Sequence, residues 1–176
     1  RLSLVGSEMC IRDRFGDKII PTESDKADLK KLISECDLLV GGVLIPGAEA
    51  PKLVTKEMIK TMKRGSVIVD VAIDQGGCVE TSKPTTHANP TYLVDNVVHY
   101  CVANMPGGVP RTSTMALNKA TLPLLLKLAD QGYKKTLTEN KNYLAGLNVY
   151  RGNITLKGVS DAFDLKYTPA SEVLKN

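Results

Sequence analysis

The feature that most constrains the fold of this chain is the alternation of two kinds of segment. Short apolar runs alternate with segments whose apolar residues repeat at helical spacing. Residues 36–44, 66–73 and 97–103 are nearly continuous apolar runs, which are typical of strands covered on both faces. Residues 24–35 and 55–63, which precede the first two runs, repeat apolar side chains at helical spacing. Strands that alternate with helices predict right-handed crossovers and an α/β fold with a doubly wound parallel sheet.

Toward the end of the chain the pattern becomes helical. Thr112 or Ser113 can cap a long leucine-rich helix that ends at Gly132. Because Pro123 lies inside this helix, we expect a kink or a break near residues 119–122. The apolar side chains of this helix could serve subunit contacts or be buried within their own chain.

The two ends of the chain differ in character. Residues 1–14 show no apolar period, so we interpret them as a non-native leader and exclude them from the fold; if native, they form a short surface segment. Near the other end, Arg151-Gly152 separates two short β-prone runs and predicts a small hairpin. A short C-terminal helix is expected after it.

The composition excludes several classes of protein. The 176 residues are 43% hydrophobic and 24% charged, which suits one globular domain or parts of two. The net charge of +4 is small and spread along the chain, which argues against a nucleic-acid partner. No apolar stretch approaches the ~20 residues of a membrane span, so we expect a cytoplasmic protein without a membrane partner. The cysteines include no Cys-x-x-Cys pair, so neither a disulfide framework nor a metal site is expected.

Each predicted strand ends in a loop rich in glycine or proline. These loops are residues 41–47, 74–78 and 104–110. Because ligands of open parallel sheets bind where the carboxyl ends of the strands meet, three such loops predict one shared crevice. The alternative for any single loop is an ordinary tight turn in an α/β domain.

The glycine pattern of dinucleotide-binding folds is missing from the sequence. No Gly-x-Gly-x-x-Gly occurs, so no loop of that type is available to bind a pyrophosphate. Either the domain binds another ligand, or the chain begins after the first strand and helix of a longer protein.

Several stretches, in order, resemble the alanine dehydrogenase family. One of them contains Ile73-Asp74-Gln75-Gly76-Gly77, and the resemblance extends over residues 15–176. The stretches that carry the resemblance are residues 43–54, 65–78, 84–87, 100–107, 110–114 and 146–150.

The resemblance implies a Rossmann-type fold and an enzymatic function. Residues 15–104 would form the second half of an NAD-binding domain, and residues 105–176 would return through a helix to the substrate domain. The implied activity is the NAD-dependent, reversible oxidative deamination of L-alanine to pyruvate and ammonium by a homo-oligomer, a hexamer. The family's catalytic His, and the Lys and Arg that bind the substrate carboxylate, belong to a part that this sequence lacks. Neither His87 nor His99 takes that role, and we expect the chain by itself to be inactive.

The resemblance also assigns candidate site residues. Asp74 matches the family's catalytic acid, with capping of the following turn as the alternative. Asp70 lies inside the strand, where an unpaired carboxylate is costly, so we expect it to accept hydrogen bonds from nearby loop amides. Ser24 could equally cap a helix, and Lys83 could be a solvated surface charge. The matched cofactor-binding positions are Ser24, Val43, Leu44, Val71, Ala72, Ile73, Asp74, Lys83, Val102, Ala103, Asn104 and Met105.

Two other functions compete with this interpretation. The first is the NAD-binding part of a proton-translocating transhydrogenase alpha subunit, which shares the fold and the Ala50–Val54 type of loop. The second is a non-catalytic interaction protein that binds no cofactor. Cys78 and Cys101 lie beside the predicted crevice, where they could be reactive thiols or small buried hydrophobes.

Overall fold

A mixed four-stranded sheet forms the first part of the molecule. The computed structural model describes residue 11 and residues 13–22, 26–45 and 49–174. Strands β1 (Leu38–Gly41) and β2 (Val67–Asp70) are parallel, with Leu38 opposite Val67. The parallel arrangement predicted from the apolar runs is therefore confirmed for these strands.

The third predicted strand also joins the sheet in the parallel direction, but it brings an antiparallel neighbour. Strand β3 (Thr91–Val94) precedes β4 (Val97–Tyr100), and the sheet order is β1-β2-β4-β3. Asp95 and Asn96 form the tight turn between them with φ of 51° and 64°. Strand β3 was not predicted, because neither turn residue is the glycine that usually marks such a hairpin.

The core lies between one face of the sheet and two helices. Helix α1 (Lys26–Glu35) and helix α2 (Lys56–Ile59) supply buried side chains to it, and the Thr55 hydroxyl caps α2 by accepting from the Met58 N–H. The predicted cap of α1, Ser24 or Asp25, lies outside the described residues. The buried cluster is Ile33, Ala50, Val54, Met58, Ile59, Met62, Ile68, Ala72, Cys78, Val79 and Val97.

The opposite face of the sheet is open, which corrects the prediction of strands covered on both faces. Leu38 and Val40 of β1 are 57% and 59% exposed. Val67 and Val69 beside them are half-buried. The cluster of buried side chains packs on the other face, so the apolar run of β1 has only one covered side.

Strand β2 ends three residues earlier than predicted. Residues Val71–Gln75 form a 3-10 helix, because the Asp70 carboxylate caps it by accepting from the Ala72 N–H at 3.1 Å. A side chain that bonds the backbone in this way draws the chain out of a sheet ladder. This turn carries Asp74 and so determines where the candidate catalytic acid lies.

A helical region follows the sheet. Helix α3 (Pro110–Gln131) leads to α4 (Tyr133–Glu139) and then to α5 (Lys141–Ala145). Strands β5 (Val149–Tyr150) and β6 (Asn153–Ile154) form the predicted hairpin. Its turn residues, Arg151 and Gly152, have φ of 46° and 78°. The short helices α6 (Lys157–Ala162) and α7 (Ala170–Val173) follow, and the predicted C-terminal helix is confirmed.

Helix α3 differs from its prediction at two places. It begins at Pro110 with Val109 as its N-cap, so the predicted cap at Thr112 or Ser113 is wrong; Pro at the first helical position needs no N–H partner. The Ser113 hydroxyl instead donates to the Pro106 carbonyl at 2.9 Å. The helix continues through Pro123 without the expected break, while the kink stays a prediction. Among the described residues, no helix combines the length and apolarity needed to cross a membrane.

Candidate functional site

Three loops meet at the edge of the sheet where the parallel strands end. They follow β1, β2 and β4, which are neighbours in the sheet. A direct hydrogen bond joins the second loop to the third: the Asn104 N–H donates to Asp74, 3.1 Å from Oδ1 and 3.4 Å from Oδ2. The Asp74 carboxylate thus bonds a residue 30 positions away rather than capping its own turn, and it remains exposed.

The buried side chain of Asp70 holds the second loop through hydrogen bonds. Its carboxylate is fully buried and accepts hydrogen bonds from the N–H of Cys78 at 3.0 Å and of Val79 at 3.1 Å. It also accepts from the Ser82 hydroxyl at 2.6 Å and from the Ala72 N–H. A buried carboxylate is tolerated only when its oxygens are satisfied in this way. The predicted structural role of Asp70 is confirmed.

Cys78 links the first loop to this network. Burial and, to a smaller extent, the neighbouring charge of Asp70 together raise the pKa of its thiol to about 11. The Val43 backbone in the first loop lies close enough to the thiol to lower its pKa in part. Gly41 leaves room for that sulfur, because a Cβ at this position would overlap with it. A protonated, buried thiol is not a nucleophile, so Cys78 acts as a small core side chain.

Residues before α2 hold the second loop from its outer side. The Lys52 ammonium donates to the carbonyls of Gly76 and Gly77, the latter at 2.8 Å. Gly76 has φ of 89°, and a Cβ there would lie 2.6 Å from Oε1 of Glu49. Gly76 is therefore required both by its backbone angle and by the close approach of Glu49. This role of Lys52 was not predicted, because no periodicity or spacing in the sequence indicates it.

The third loop turns sharply at Asn104. This residue has left-handed backbone angles, with φ of 54° and ψ of 53°, and it precedes the 3-10 helix Met105–Gly108. Its carbonyl lies 3.2 Å from Nε2 of His87. Asn104 is thus bonded on both sides, by Asp74 at its N–H and by His87 at its carbonyl.

The predicted cofactor-binding residues fall into three groups by exposure. Ala72, Ile73 and Val102 are buried, and Val43 and Met105 are half-buried. Lys83 is exposed, and among the described residues no hydrogen bond joins its side chain to the three loops. Ser24 lies outside the described residues. The exposed members at the loop edge are Leu44, Val71, Asp74, Ala103 and Asn104.

The backbone of the buried pair Ala72 and Ile73 is already used within the loop. The Ala72 carbonyl accepts from the Gly77 N–H at 2.9 Å, and the Ile73 carbonyl accepts from the Gly76 N–H at 3.1 Å. These two residues shape the 3-10 turn and leave surface contacts to Val71 and Asp74. A ligand at this edge would meet exposed apolar side chains, loop backbone and one carboxylate.

His99 lies in β4 and belongs to the buried core. Its ring is fully buried and stacks on Tyr92 with the ring centres 5.0 Å apart. Nδ1 donates to the Val97 carbonyl at 3.0 Å, so Nε2 accepts from the Thr81 hydroxyl at 2.8 Å. Burial lowers the pKa of His99, which keeps the ring neutral. The described residues contain no cluster of three or more His, Cys, Asp or Glu that could hold a metal ion.

The fold and this edge define the class of protein. Parallel strands with helices between them, and a candidate site in the loops at their carboxyl ends, make this a Rossmann-type α/β domain.

Comparisons with known proteins then identify the family. The family model described as "Alanine dehydrogenase/PNT, C-terminal domain" matches residues 7–157. An alanine dehydrogenase of Halomonas elongata is 55% identical over 92% of this chain and 44% of its own length. Alanine dehydrogenase 2 of Staphylococcus aureus is 52% identical over 93% of this chain and 44% of its own length. The chain belongs to the alanine dehydrogenase/PNT C-terminal domain family, and it spans less than half the length of these relatives.

Solved structures agree with this assignment. An L-alanine dehydrogenase matches with a TM-score of 0.77 and 46% identity, covering 91% of this chain and 44% of that chain. A transhydrogenase from Sinorhizobium meliloti matches with a TM-score of 0.54 and 30% identity, covering 59% of this chain and 30% of that chain. Both kinds of protein weighed in the sequence analysis are therefore structural relatives, and the alanine dehydrogenase is the more similar of the two.

Proposed function

We propose that this chain supplies the NAD-binding part of an alanine dehydrogenase, which converts L-alanine reversibly to pyruvate and ammonium. The observation that carries the proposal is the exposed Asp74 carboxylate, held by the Asn104 N–H where β2 and β4 end. The 55% and 52% identities to proteins named alanine dehydrogenase support the choice of reaction.

The loop edge fits the nicotinamide and ribose part of NAD. Exposed Val71 and Leu44 offer apolar contact. Open space lies beside Gly42, because a Cβ built there would have no neighbour within 4 Å, so a ligand can approach its backbone. In the proposal, Val43 and Leu44 line the path from adenosine to nicotinamide, residues 71–74 follow the ribose, and residues 102–105 flank the nicotinamide. Ser24 and Lys83 are proposed as outer contacts of the cofactor.

Asp74 is proposed to move the proton in the reaction. One N–H donor occupies part of its carboxylate, which leaves acceptor positions free on an exposed side chain. When bound, NAD supplies the hydride acceptor for the substrate carbon. The carboxylate can then take the proton of a water or an amine at the reacting carbon and return it. The Asn104 bond fixes the direction from which that proton is taken.

Several further properties are part of the same proposal. Residues 15–104 would belong to the NAD-binding domain, residues 105–176 would include the linking helix and part of the substrate domain, and residues 1–14 would be a non-native leader. The enzyme would be cytoplasmic and a homo-oligomer, a hexamer. The 176-residue chain alone would be inactive, because the residues that grip the substrate carboxylate would come from elsewhere.

The test is alanine-dependent NADH formation by the complete reading frame that contains this chain, in wild type and in Asp74→Asn. We expect the variant to lose roughly a hundredfold or more of the wild-type kcat, the usual contribution of a proton-transfer group. Asp95→Asn is the matched control, because Asp95 is an exposed aspartate in the β3–β4 turn at the other end of β4.

Other results of this test would favour one of the alternative functions or contradict the proposal. NADH binding without any alanine-dependent turnover would favour the transhydrogenase alternative, and failure to bind NADH would favour a non-catalytic interaction protein. Turnover by the 176-residue chain alone, or an Asp74→Asn variant as active as Asp95→Asn, would contradict the proposal at its centre.

A further inference from the structure

We propose that His87 is a positioning residue that orients Asp74 through Asn104, whose carbonyl it helps to hold. The proposal rests on the proposed function for its catalytic consequence, but the contact itself can be tested without activity. The His87 Nε2 atom lies 3.2 Å from the Asn104 carbonyl, and the N–H of the same residue donates to Asp74. Asn104 therefore connects the histidine to the carboxylate.

The direction of the histidine hydrogen bond follows from its partner. A carbonyl oxygen only accepts, so Nε2 of His87 carries the proton that it shares with Asn104. Both the Nε2-protonated neutral ring and the doubly protonated ring meet this requirement. The contact therefore needs a donor at this position, whatever the charge of the ring.

Two glycines make room for the histidine ring. A Cβ at Gly108 would lie 3.2 Å from Cε1 of His87, and a Cβ at Gly107 would lie 3.5 Å from its Nε2. Neither glycine has a positive φ, so the backbone angles alone do not require glycine here. The absence of side chains at both positions instead lets the imidazole lie against the backbone of the loop. The Gly107-Gly108 pair in the third loop thus has a specific physical reason.

The segment that carries His87 is itself held to the strand that leads to Asn104. The Thr85 N–H donates to the Cys101 carbonyl at 2.9 Å, and the Ala103 N–H donates to the Thr85 carbonyl at 3.2 Å. This pairing fixes the chain two residues before His87 and one residue before Asn104. The histidine is therefore a stable reference point for the loop, although its side chain is exposed.

The left-handed conformation of Asn104 gives the contact its importance. Asn tolerates a φ of 54° better than other non-glycine residues, and the contacts around it hold it in this conformation. The Asn104 carbonyl accepts from the Gly107 N–H at 2.8 Å as well as from His87. Without the donor at His87, the carbonyl keeps the Gly107 bond alone, and the Asn104 N–H is held less firmly toward Asp74. We infer that the loss reaches the reaction as a misdirected carboxylate, with substrate binding unchanged.

The first test uses two variants that separate the ring from its donor. His87→Phe keeps a flat ring against the glycines but removes the donor, whereas the amide nitrogen of His87→Gln can replace Nε2. In the complete enzyme, we expect His87→Phe to lower kcat about tenfold, the equivalent of one hydrogen bond, with little change in the KM for alanine. His87→Gln should restore most of kcat. Gly108→Ala, which crowds the ring from the opposite side, should lower kcat in the same way.

The second test needs no activity and uses the 176-residue chain. The NMR signal of the Asn104 amide should shift as the Asp74 carboxylate is titrated with acid, because the N–H donates to that carboxylate. Asp74→Asn identifies this shift by removing it. We expect the shift to be preserved in His87→Gln and reduced in His87→Phe and Gly108→Ala.

The outcomes distinguish the two proposals. A complete enzyme without alanine turnover, but with an Asn104 shift that depends on His87, would overturn the function and leave the positioning role standing. An unchanged kcat and an unchanged Asn104 shift in His87→Phe would overturn the positioning role. Equal losses of kcat in His87→Phe and His87→Gln would also overturn it, because the donor would then be irrelevant. If His87→Phe does not fold, Gly108→Ala decides the question.

Discussion

The sheet half of the molecule, residues 26–104, and the helical half, residues 105–174, bury their side chains very differently. Among the described residues, all buried hydrophobic side chains except Leu137 and Val173 belong to the sheet half. Helix α3 of the helical half is leucine-rich and has no buried residue. The candidate site draws Asp74, Asn104 and His87 from the sheet half. Its geometry therefore depends on that half's own core, and the leucines of α3 contribute little to it.

The largest expected effect comes from the buried carboxylate beneath the site. Asp70→Ala would leave three backbone N–H groups and the Ser82 hydroxyl without their acceptor. Each unsatisfied buried group costs about 1–3 kcal/mol, so we expect a loss of about 4 kcal/mol in the free energy of unfolding in urea. Asp130→Ala, at an exposed position in α3, is the control and should change stability by less than about 0.5 kcal/mol. Similar free energies of unfolding for the two variants would show that buried groups in the sheet half contribute no more to stability than exposed groups in the helical half.

The second prediction compares two adjacent glycines at the end of β1. In Gly41→Ala the new methyl group would overlap with the Cys78 sulfur and lie 3.5 Å from Oδ1 of Asp70. Overpacking of this kind costs about 1–3 kcal/mol. Gly42→Ala meets no atom within 4 Å and should be nearly neutral. Thermal or urea unfolding of both variants measures the difference, and equal values would show that Cys78 can move aside.

The third prediction concerns the loss of stability at acidic pH through His99. Burial lowers the pKa of His99 below its ordinary 6.5, so the unfolded chain binds the proton more readily than the folded chain. The stabilisation is complete above pH 6.5 and is lost as the pH falls through the folded pKa, by at most about 1.4 kcal/mol per pH unit. Urea unfolding of wild type and His99→Gln at neutral and mildly acidic pH should show a steeper pH dependence in wild type.

The smallest effect is expected at the exposed leucines of α3. Leu125 is 61% exposed, so Leu125→Gln should change the unfolding free energy by less than about 0.5 kcal/mol. Leu137, only 8% exposed, is the matched position, and Leu137→Ala should cost about 2–4 kcal/mol. Urea unfolding at two protein concentrations measures both. A large loss in Leu125→Gln that depends on concentration would mean that copies of the chain cover α3 in solution.

Local patterns predicted the parts of the structure that depend on local chemistry. The apolar runs identified β1, β2 and β4, and the cost of an unpaired carboxylate predicted the role of Asp70. The early end of β2 was missed because the Asp70 side chain, and not the apolar run, decides where the strand stops. The start of α3 was missed because Pro110 begins the helix without a side-chain cap.

The candidate site was only partly predictable from the sequence. The topology rule brought the loops of Asp74 and Asn104 to one edge, as expected. The contact between His87 and Asn104 joins residues 17 positions apart and depends on the room left by Gly107 and Gly108. Neither spacing nor periodicity encodes such a contact, so it emerges only from the folded chain.

The hydrogen bonds around Asp70 also bear on how the site assembles. They join residues separated by 2, 8, 9 and 12 positions, whereas Asp74 and Asn104 are 30 positions apart. Closing a short loop costs less chain entropy than closing a long one. The loop that carries Asp74 can therefore take its shape as a local unit around β2. Its partner Asn104 comes into place only when β4 joins the sheet. We therefore expect the loop of Asp74 and the loop of Asn104 to form at different stages of folding.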